Sequence, residues 1–307
     1  MGVLLTAAAI VVSAAIGVRA EQRRPRAAAH AARRALVLIL YGLLPPIIFF
    51  NLASSDVSVD HGIGLGLGIL AVSTTSLLAW GVATRVMDLS GPQAGAVVCS
   101  VLAVNSAYLG YPLTIALLGR DDLSNAVLYD VLVNAPCVLL GAFAVGAALG
   151  TKAGETPRQR VGAFFTRNPP LYAAVAGLLA PAALAPQVAV DISQALVIAM
   201  LPISFFAVGA TLAESAGEEE LRIPPPLTPP VGLALFARLV IAPGLLILLA
   251  APLIDLPAAY LLIAAMPTGV TAMIVAHTYG LDMEITVEAV AWSTAIVVAG
   301  ALASLLF

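Results

Sequence analysis

Residues 105–112 read NSAYLGYP and lie in the middle of an apolar run, residues 94–118. A run of this length is long enough to cross a bilayer as a helix. Pro112 lacks the backbone N–H of a helical residue and clashes with the preceding turn, and Gly110 permits irregular dihedral angles. The segment therefore predicts a break in a membrane helix, which is tolerated only where protein or a water-filled cavity satisfies the freed backbone groups.

A second interruption lies near the other end of the chain, where residues 265–271 read AMPTGVT. Pro267 and Gly269 again interrupt an apolar run, residues 257–279. Some transporters consist of two halves with opposite orientations in the membrane. In such proteins, interruptions in corresponding helices of the two halves indicate a binding site near the bilayer midplane. Because helix N-termini exposed at such breaks attract anions, the two segments together predict a site for a negatively charged solute.

The composition is that of a membrane protein, with 61% hydrophobic and 10% charged residues and a mean hydropathy of +1.03. These values lie outside the range of soluble domains. Since lipid offers the backbone no hydrogen-bond partner, the apolar runs predict an all-α membrane protein with ten transmembrane helices. The predicted spans are residues 1–18, 35–53, 62–86, 94–118, 123–149, 169–185, 190–213, 229–253, 257–279 and 284–307.

The Lys and Arg residues predict the orientation, because these residues are retained on the cytoplasmic side. With both termini outside, only Arg120 falls in an outer loop, and Arg238 lies within the eighth span, where its side chain is expected to reach the head groups. The residues on the inner side are Arg19, Arg23, Arg24, Arg26, Arg33, Arg34, Arg85, Lys152, Arg158, Arg160, Arg167 and Arg222.

The longest polar connection, a predicted cytoplasmic linker over residues 151–168, separates two halves, residues 1–150 and 169–307. Each half holds five spans, and because five is odd the second half must enter the membrane from the opposite side, as in an inverted repeat. Residues 44–50 read LPPIIFF and residues 201–206 read LPISFF, so the two leucines are 157 residues apart. A similar spacing relates the corners GRD at 119–121 and GLD at 280–282.

The chain resembles the auxin efflux carrier family of plants and its bacterial relatives, which are implicated in the transport of organic acids such as malate and malonate. The resemblance covers nearly the whole chain. It rests on the pattern Asn-x-x-x-Leu-Gly-Tyr-Pro at residues 105–112, on the Asn168-Pro169 start of the sixth span, and on the pairs Leu201-Pro202 and Met266-Pro267.

The resemblance implies a fold shared with bile-acid symporters and sodium/proton antiporters, in which the fourth and ninth spans unwind where they cross. Spans 1, 2, 6 and 7 would form a scaffold, and spans 3–5 and 8–10 a transport domain that moves like an elevator. It also implies that Asn105 contacts a substrate carboxylate. The second crossover has no nearby Asn, unlike the plant carriers, so auxin itself is not the expected substrate. The resemblance further implies a homodimer in the inner (plasma) membrane of a bacterium.

The predicted substrate site combines the residues around the two breaks with one polar residue of the second span. These residues are Asn105, Leu109, Gly110, Tyr111, Pro112, Met266, Pro267, Thr268 and Asn51. Polar and ionisable residues inside apolar spans are costly, so they are candidates for binding a coupling proton or sodium ion. Asp130 and Asn134 share one face of the fifth span. The other candidates are His277 and Glu288, and water is expected to reach Glu288 near the inner end of the tenth span.

Other classes of function find little support in the sequence. No basic stripe with interleaved aromatic residues indicates nucleic acid. No nucleotide motif, catalytic constellation or metal-ligand spacing is present, so we expect neither an enzyme nor a cofactor. The hypothesis is secondary transport of a small carboxylate across the bilayer, by uniport or with a coupled ion. A cation/proton antiporter on the same fold and a non-transporting membrane receptor remain alternatives.

Overall fold

A computed structural model describes residues 3–55, 59–152, 169–216 and 225–304. Within these ranges the chain forms helices and their connections, with one isolated β-bridge. Three helices, α2, α6 and α9, run through π-helical turns without interruption. The helices are α1 (Val3–Arg23), α2 (Pro25–Ala53), α3 (Val59–Arg85), α4 (Gly91–Leu102), α5 (Tyr111–Leu117), α6 (Leu123–Leu149), α7 (Pro169–Leu179), α8 (Gln187–Ala216), α9 (Pro229–Ala250), α10 (Ala258–Ala264), α11 (Thr271–Tyr279) and α12 (Met283–Ala303).

Seven of the described helices are long and apolar enough to cross a membrane, namely α1, α2, α3, α6, α8, α9 and α12. The apolar helices α4 and α7 are shorter. Many large apolar side chains point outward, including Leu77 at 67% and Leu248 at 70% exposure. On helices long enough to cross a bilayer, exposed apolar surface on this scale indicates contact with lipid. The chain is therefore a multi-pass helical membrane protein.

Helices α1 and α8 pack against each other along most of their length. Their backbones touch at two glycines. A Cβ atom on Gly17 would lie 2.2 Å from the Phe206 carbonyl oxygen, and one on Gly209 would lie 2.1 Å from the Ala14 carbonyl oxygen. Small residues at such crossings let membrane helices approach closely, so this contact depends on van der Waals packing.

Helices α2 and α7 form a second contact of the same kind. A Cβ atom on Gly177 would lie 2.9 Å from the Phe49 carbonyl oxygen. A buried hydrogen bond then joins α2 to α8, where Asn51 Nδ2 donates to Ser193 Oγ at 3.0 Å. The four helices α1, α2, α7 and α8 are thus held together by direct contacts.

The fourth and ninth predicted spans are both interrupted, but the first break does not lie at Pro112. Helix α4 ends at Leu102, Ala103–Asn105 is non-helical, and a π-helical turn, Ser106–Gly110, leads into α5. Pro112 lies inside this helical segment, directly after the π-helical turn in which Tyr111 N donates to the Ser106 carbonyl oxygen, so the helix passes through the proline without a break. The second break, between α10 and α11, includes Pro267 as predicted.

The structure also corrects the start of the second span. Helix α2 begins at Pro25, ten residues before the predicted boundary at 35, and its 29 residues span about 43 Å. A hydrocarbon core is only about 30 Å thick, so the helix continues beyond it into the polar region. Hydropathy alone could not find this part, because its residues are basic or small.

At two corners of the chain a glycine has a positive φ. Gly119, two residues after α5, has φ of 113°, and Gly280, directly after α11, has φ of 69°. Both values favour glycine, which explains why this residue type stands at both corners. At the second corner, Lys152 N donates to the Tyr279 carbonyl oxygen at 2.9 Å. Of the predicted linker 151–168, only this residue and Thr151 are described, and Asn168 lies outside the described residues.

Candidate functional site

The two interrupted spans cross at their breaks and bond to each other there. Asn105 N donates to the Pro267 carbonyl oxygen at 2.8 Å, and Gly269 N donates to the Ala103 carbonyl oxygen at 2.7 Å. Val104 and Thr268 form the antiparallel bridge between these bonds. Each break therefore satisfies backbone groups that the other break has freed, which is the condition for a non-helical segment at membrane depth.

Close packing at the crossing explains a glycine in the second break. A Cβ atom on Gly269 would lie 2.9 Å from the Val104 carbonyl oxygen, and that atom belongs to the backbone and cannot move aside. The side chains of Thr268 and Ser293 add two further hydrogen bonds at the crossing. Thr268 Oγ1 donates to the Ser100 carbonyl oxygen at 2.8 Å, and Thr268 N donates to Ser293 Oγ at 3.1 Å.

Arg238 connects the C-terminal ends of α4 and α10. Its side chain is completely buried. Nε donates to the Met266 carbonyl oxygen at 2.8 Å, Nη1 donates to the Val101 carbonyl oxygen at 3.3 Å, and Nη2 donates to the Ala264 carbonyl oxygen. A cation is favourable at helix C-termini because their carbonyl groups carry partial negative charge. The expectation that Arg238 reaches the head groups is therefore wrong, and the residue instead stabilises the crossover.

A cavity of about 240 Å³ lies between the crossover and α2. Leu40 and Leu44 of α2 form one wall. The opposite wall combines the first break, one face of α6 and the start of α11. The residues lining it there are Val104, Asn105, Ser106, Ala107, Tyr108, Asp130, Asn134, Ala135, Val138, Leu139, Gly269, Val270 and Thr271. The cavity thus has an apolar body with a polar end at the first break.

Asp130 is held at the polar end by two hydroxyl groups from the fourth predicted span. Ser106 Oγ donates to Asp130 Oδ1, and Tyr111 Oη donates to Asp130 Oδ2 at 2.7 Å. Tyr111 is completely buried, whereas Asp130 is half-buried because it borders the cavity. These bonds orient the carboxylate, and among the described residues no Lys or Arg lines the cavity to neutralise it.

Two amide oxygens beside Asp130 lack hydrogen-bond partners in the described structure. They are Asn105 Oδ1 and Asn134 Oδ1, on side chains that are 3% and 2% exposed. A buried polar atom without a partner costs roughly 1–3 kcal/mol. Such atoms in a cavity wall are suited to binding a solute, an ion or water.

Of the predicted candidates, Asn105, Asp130 and Asn134 line the cavity, and Tyr111 bonds to Asp130 from behind the wall. Leu109, Gly110, Tyr111, Pro112, Met266, Pro267 and Thr268 build the crossover but do not line the cavity. Asn51 joins α2 to α8. His277 is exposed at the end of α11. Glu288 is 3% exposed, so the expectation that water reaches it is wrong.

Some residues of the site were absent from the predicted set. Ser106 and Tyr108 belong to the same NSAYLGYP segment, and Thr271 follows the second break, so their positions in the sequence could have identified them. Leu40 and Leu44 could not be identified, because nothing local distinguishes them from other apolar residues of α2. Arg238 carried one signal, since a charged residue deep in an apolar span is usually functional.

Interrupted helices that cross next to a polar cavity occur in many membrane transporters. Residues 164–302 match the model of a family described as membrane transport protein, which is the auxin efflux carrier family. The match confirms the resemblance over residues 164–302, which include the second break, and this is a family of transporters and not of enzymes. No curated protein matches the chain in sequence.

Proposed function

We propose that this protein is a secondary transporter that moves a small organic anion through the cavity at the crossover. One observation carries the proposal: the cavity lies where two interrupted helices meet, and Asn105, Ser106 and Asp130 line its polar end. Its volume of about 240 Å³ suits a molecule of a few carbon atoms. The family match supports transport, and the chemistry of the cavity is the basis for the choice of substrate.

Hydrogen-bond donors at the polar end favour a carboxylate. Residues 106–108 begin the helical segment that continues into α5, and Val270 and Thr271 begin α11. The N-terminal ends of two helical segments therefore border the cavity, where their N–H groups and dipoles favour negative charge. The Asn105 amide group is a further donor. The apolar wall formed by α2 and α6 would contact the carbon skeleton of the acid.

Asp130 makes proton coupling part of the proposal. Two negative charges about 5 Å apart, at an effective dielectric constant of about 20, repel by roughly 3 kcal/mol. Protonation of Asp130 removes this repulsion, so the anion and a proton would bind together. The hydroxyl groups of Ser106 and Tyr111 can accept as well as donate, so they can bond to either form of the carboxyl group.

An inverted repeat with a fixed scaffold is the proposed framework for this movement. Adding 157 to Phe49 gives Phe206, and adding 160 to Gly17 gives Gly177. The contact of Gly17 with the Phe206 carbonyl thus has a counterpart in the contact of Gly177 with the Phe49 carbonyl. These matched contacts support ten spans in two repeats, with α1, α2, α7 and α8 as scaffold. The remaining helices would move past Leu40 and Leu44 as the transport domain.

Uptake into proteoliposomes tests both substrate and coupling. Purified protein is assayed with a panel of monocarboxylates and dicarboxylates under imposed proton and sodium gradients. If one proton accompanies each anion, a gradient of one pH unit should raise accumulation up to about tenfold. Asp130→Asn should abolish this response and retain exchange of labelled anion, whereas Asp121→Asn, at an exposed corner, should leave the response unchanged. Uptake of no acid by the wild-type protein contradicts the proposal.

A cation/proton antiporter is the second candidate, and a specific observation favours it. Asn105 and Asn134, whose side-chain oxygens have no partner among the described residues, line the same cavity as Asp130. Oxygen atoms of these types are suitable ligands for a hard cation. In the same proteoliposomes, sodium/proton exchange without uptake of any acid would establish this function instead, and Asp130→Asn should abolish that exchange.

A further inference from the structure

The corner between α1 and α2 carries a dense group of positive charges. Six of the 14 Lys and Arg residues of the chain lie between positions 19 and 34. Arg26, His30 and Arg34 are spaced four residues apart on α2, so they share one face of the helix. All three are exposed, and with Ala27 and Ala31 of the same helix they line a shallow, open groove.

Among the described residues, the acidic side chains at this corner do not neutralise the groove. Glu21 is buried at 8% exposure, and Glu214 forms an ion pair with Arg33, which does not line the groove, at 3.9 Å. In the described part of the chain, no ion pair involves Arg26 or Arg34. The groove therefore presents its positive charge to the surroundings.

The same side of α2 becomes apolar directly after the groove. Leu38 lies one helical turn after Arg34 and is 50% exposed, while Val37 and Tyr41 are 56% and 53% exposed. Since α2 is about 13 Å longer than a hydrocarbon core is thick, its basic start lies outside the core and its apolar continuation lies within it. The change from basic to apolar thus falls at the boundary between head groups and acyl chains.

We propose that this groove binds the phosphodiester head group of an anionic phospholipid. Arg26, His30 and Arg34 surround the phosphate, and an acyl chain runs along Val37, Leu38 and Tyr41. Juxtamembrane basic clusters attract anionic lipids, and Arg is well suited to phosphate because its guanidinium can donate two parallel bonds. Because α2 also supplies Leu40 and Leu44 to the cavity, the lipid would hold the helix that borders the solute.

Native mass spectrometry of the full chain in detergent, titrated with dioleoylphosphatidylglycerol or dioleoylphosphatidylcholine, tests the proposal. The wild-type protein should retain the anionic lipid at concentrations at least about tenfold below those needed for the zwitterionic lipid. The triple variant Arg26→Gln/His30→Gln/Arg34→Gln should lose this preference. The double variant Arg85→Gln/Arg120→Gln also removes two arginines and should keep it. Loss of the preference in both variants, or in neither, would overturn the proposal.

Two further arms exclude other ligands. Inorganic phosphate should not displace the lipid at equal concentration, and full displacement would show an anion site that does not require a lipid. The chain's own acidic run, Glu218–Glu220, follows α8 and is another anion that could occupy the groove. Replacing these three residues by Gln should change lipid retention less than about twofold, and a tenfold increase would show that this run is the true occupant. Equal melting temperatures without added lipid would establish that the variants are folded.

Discussion

The contact between α1 and α8 and the crossover of the two interrupted spans solve different problems at membrane depth. At the first contact, intact helices meet through Gly17 and Gly209, and their backbone bonds stay within each helix. At the crossover, helical bonding stops, and the freed groups bond to Arg238, Thr268 and the opposite break. The comparison shows that intact helices give a dry and tight contact, whereas interrupted helices provide polar groups that can bind a solute.

The largest loss of stability should come from replacing Arg238. Arg238→Met leaves three buried backbone carbonyl groups without this donor, and each buried acceptor left unsatisfied costs roughly 1–3 kcal/mol. We expect a large drop in the melting temperature of the detergent-solubilised protein. Arg85→Met, which removes an exposed arginine at the end of α3, is the control and should change it little. Similar melting temperatures for the two variants would show that the crossover does not need its cation.

Tight helix packing predicts a loss of stability at Gly209 that is smaller than the loss at Arg238. In Gly209→Ala the new methyl group meets the Ala14 carbonyl oxygen at 2.1 Å, so α1 and α8 must move apart, at a cost of roughly 1–3 kcal/mol. Thermal unfolding should show this loss. Gly66→Ala adds the same methyl group in open space and is the matched control. Substrate affinity measured on the folded fraction should not change, since Gly209 does not line the cavity; a tenfold loss of affinity would link this contact to the site.

At Asn105 we expect weaker substrate binding with almost no loss of stability. Asn105→Ala removes a hydrogen-bonding group from the cavity, which corresponds to roughly 1–1.5 kcal/mol, or about a tenfold weaker substrate binding. Its stability should hardly fall, because its side-chain oxygen has no partner among the described residues. Substrate titration by thermal shift measures both quantities. Unchanged binding would remove Asn105 from the site.

The smallest effect is expected at Asn51, the predicted site residue that lies outside the cavity. Asn51→Ala breaks its bonds to Ser193 and to the Ile47 carbonyl oxygen, and a loss of roughly 1 kcal/mol in stability should follow. The uptake rate per folded molecule should equal that of the wild-type protein. A transport defect without a stability defect would return Asn51 to the substrate site.

Several features were predictable because their causes are local. Apolar runs of about 20 residues predicted where the long helices lie, and α6 has the bounds predicted for the fifth span. The second break was predicted from Pro267, a residue that disrupts helices by its own covalent structure. Asp130 and Asn134 were placed together because they are one helical turn apart.

Other features depended on the tertiary structure. Helix α4 ends ten residues before Pro112, because the first break is defined by its bonds to residues 267–269 and not by the proline. The bonds of Ser106 to Asp130 and of Arg238 to Val101 join residues 24 and 137 positions apart. The sequence by itself determined that two membrane spans must be interrupted. Packing decided which distant polar groups meet there, since that depends on the path of the whole backbone.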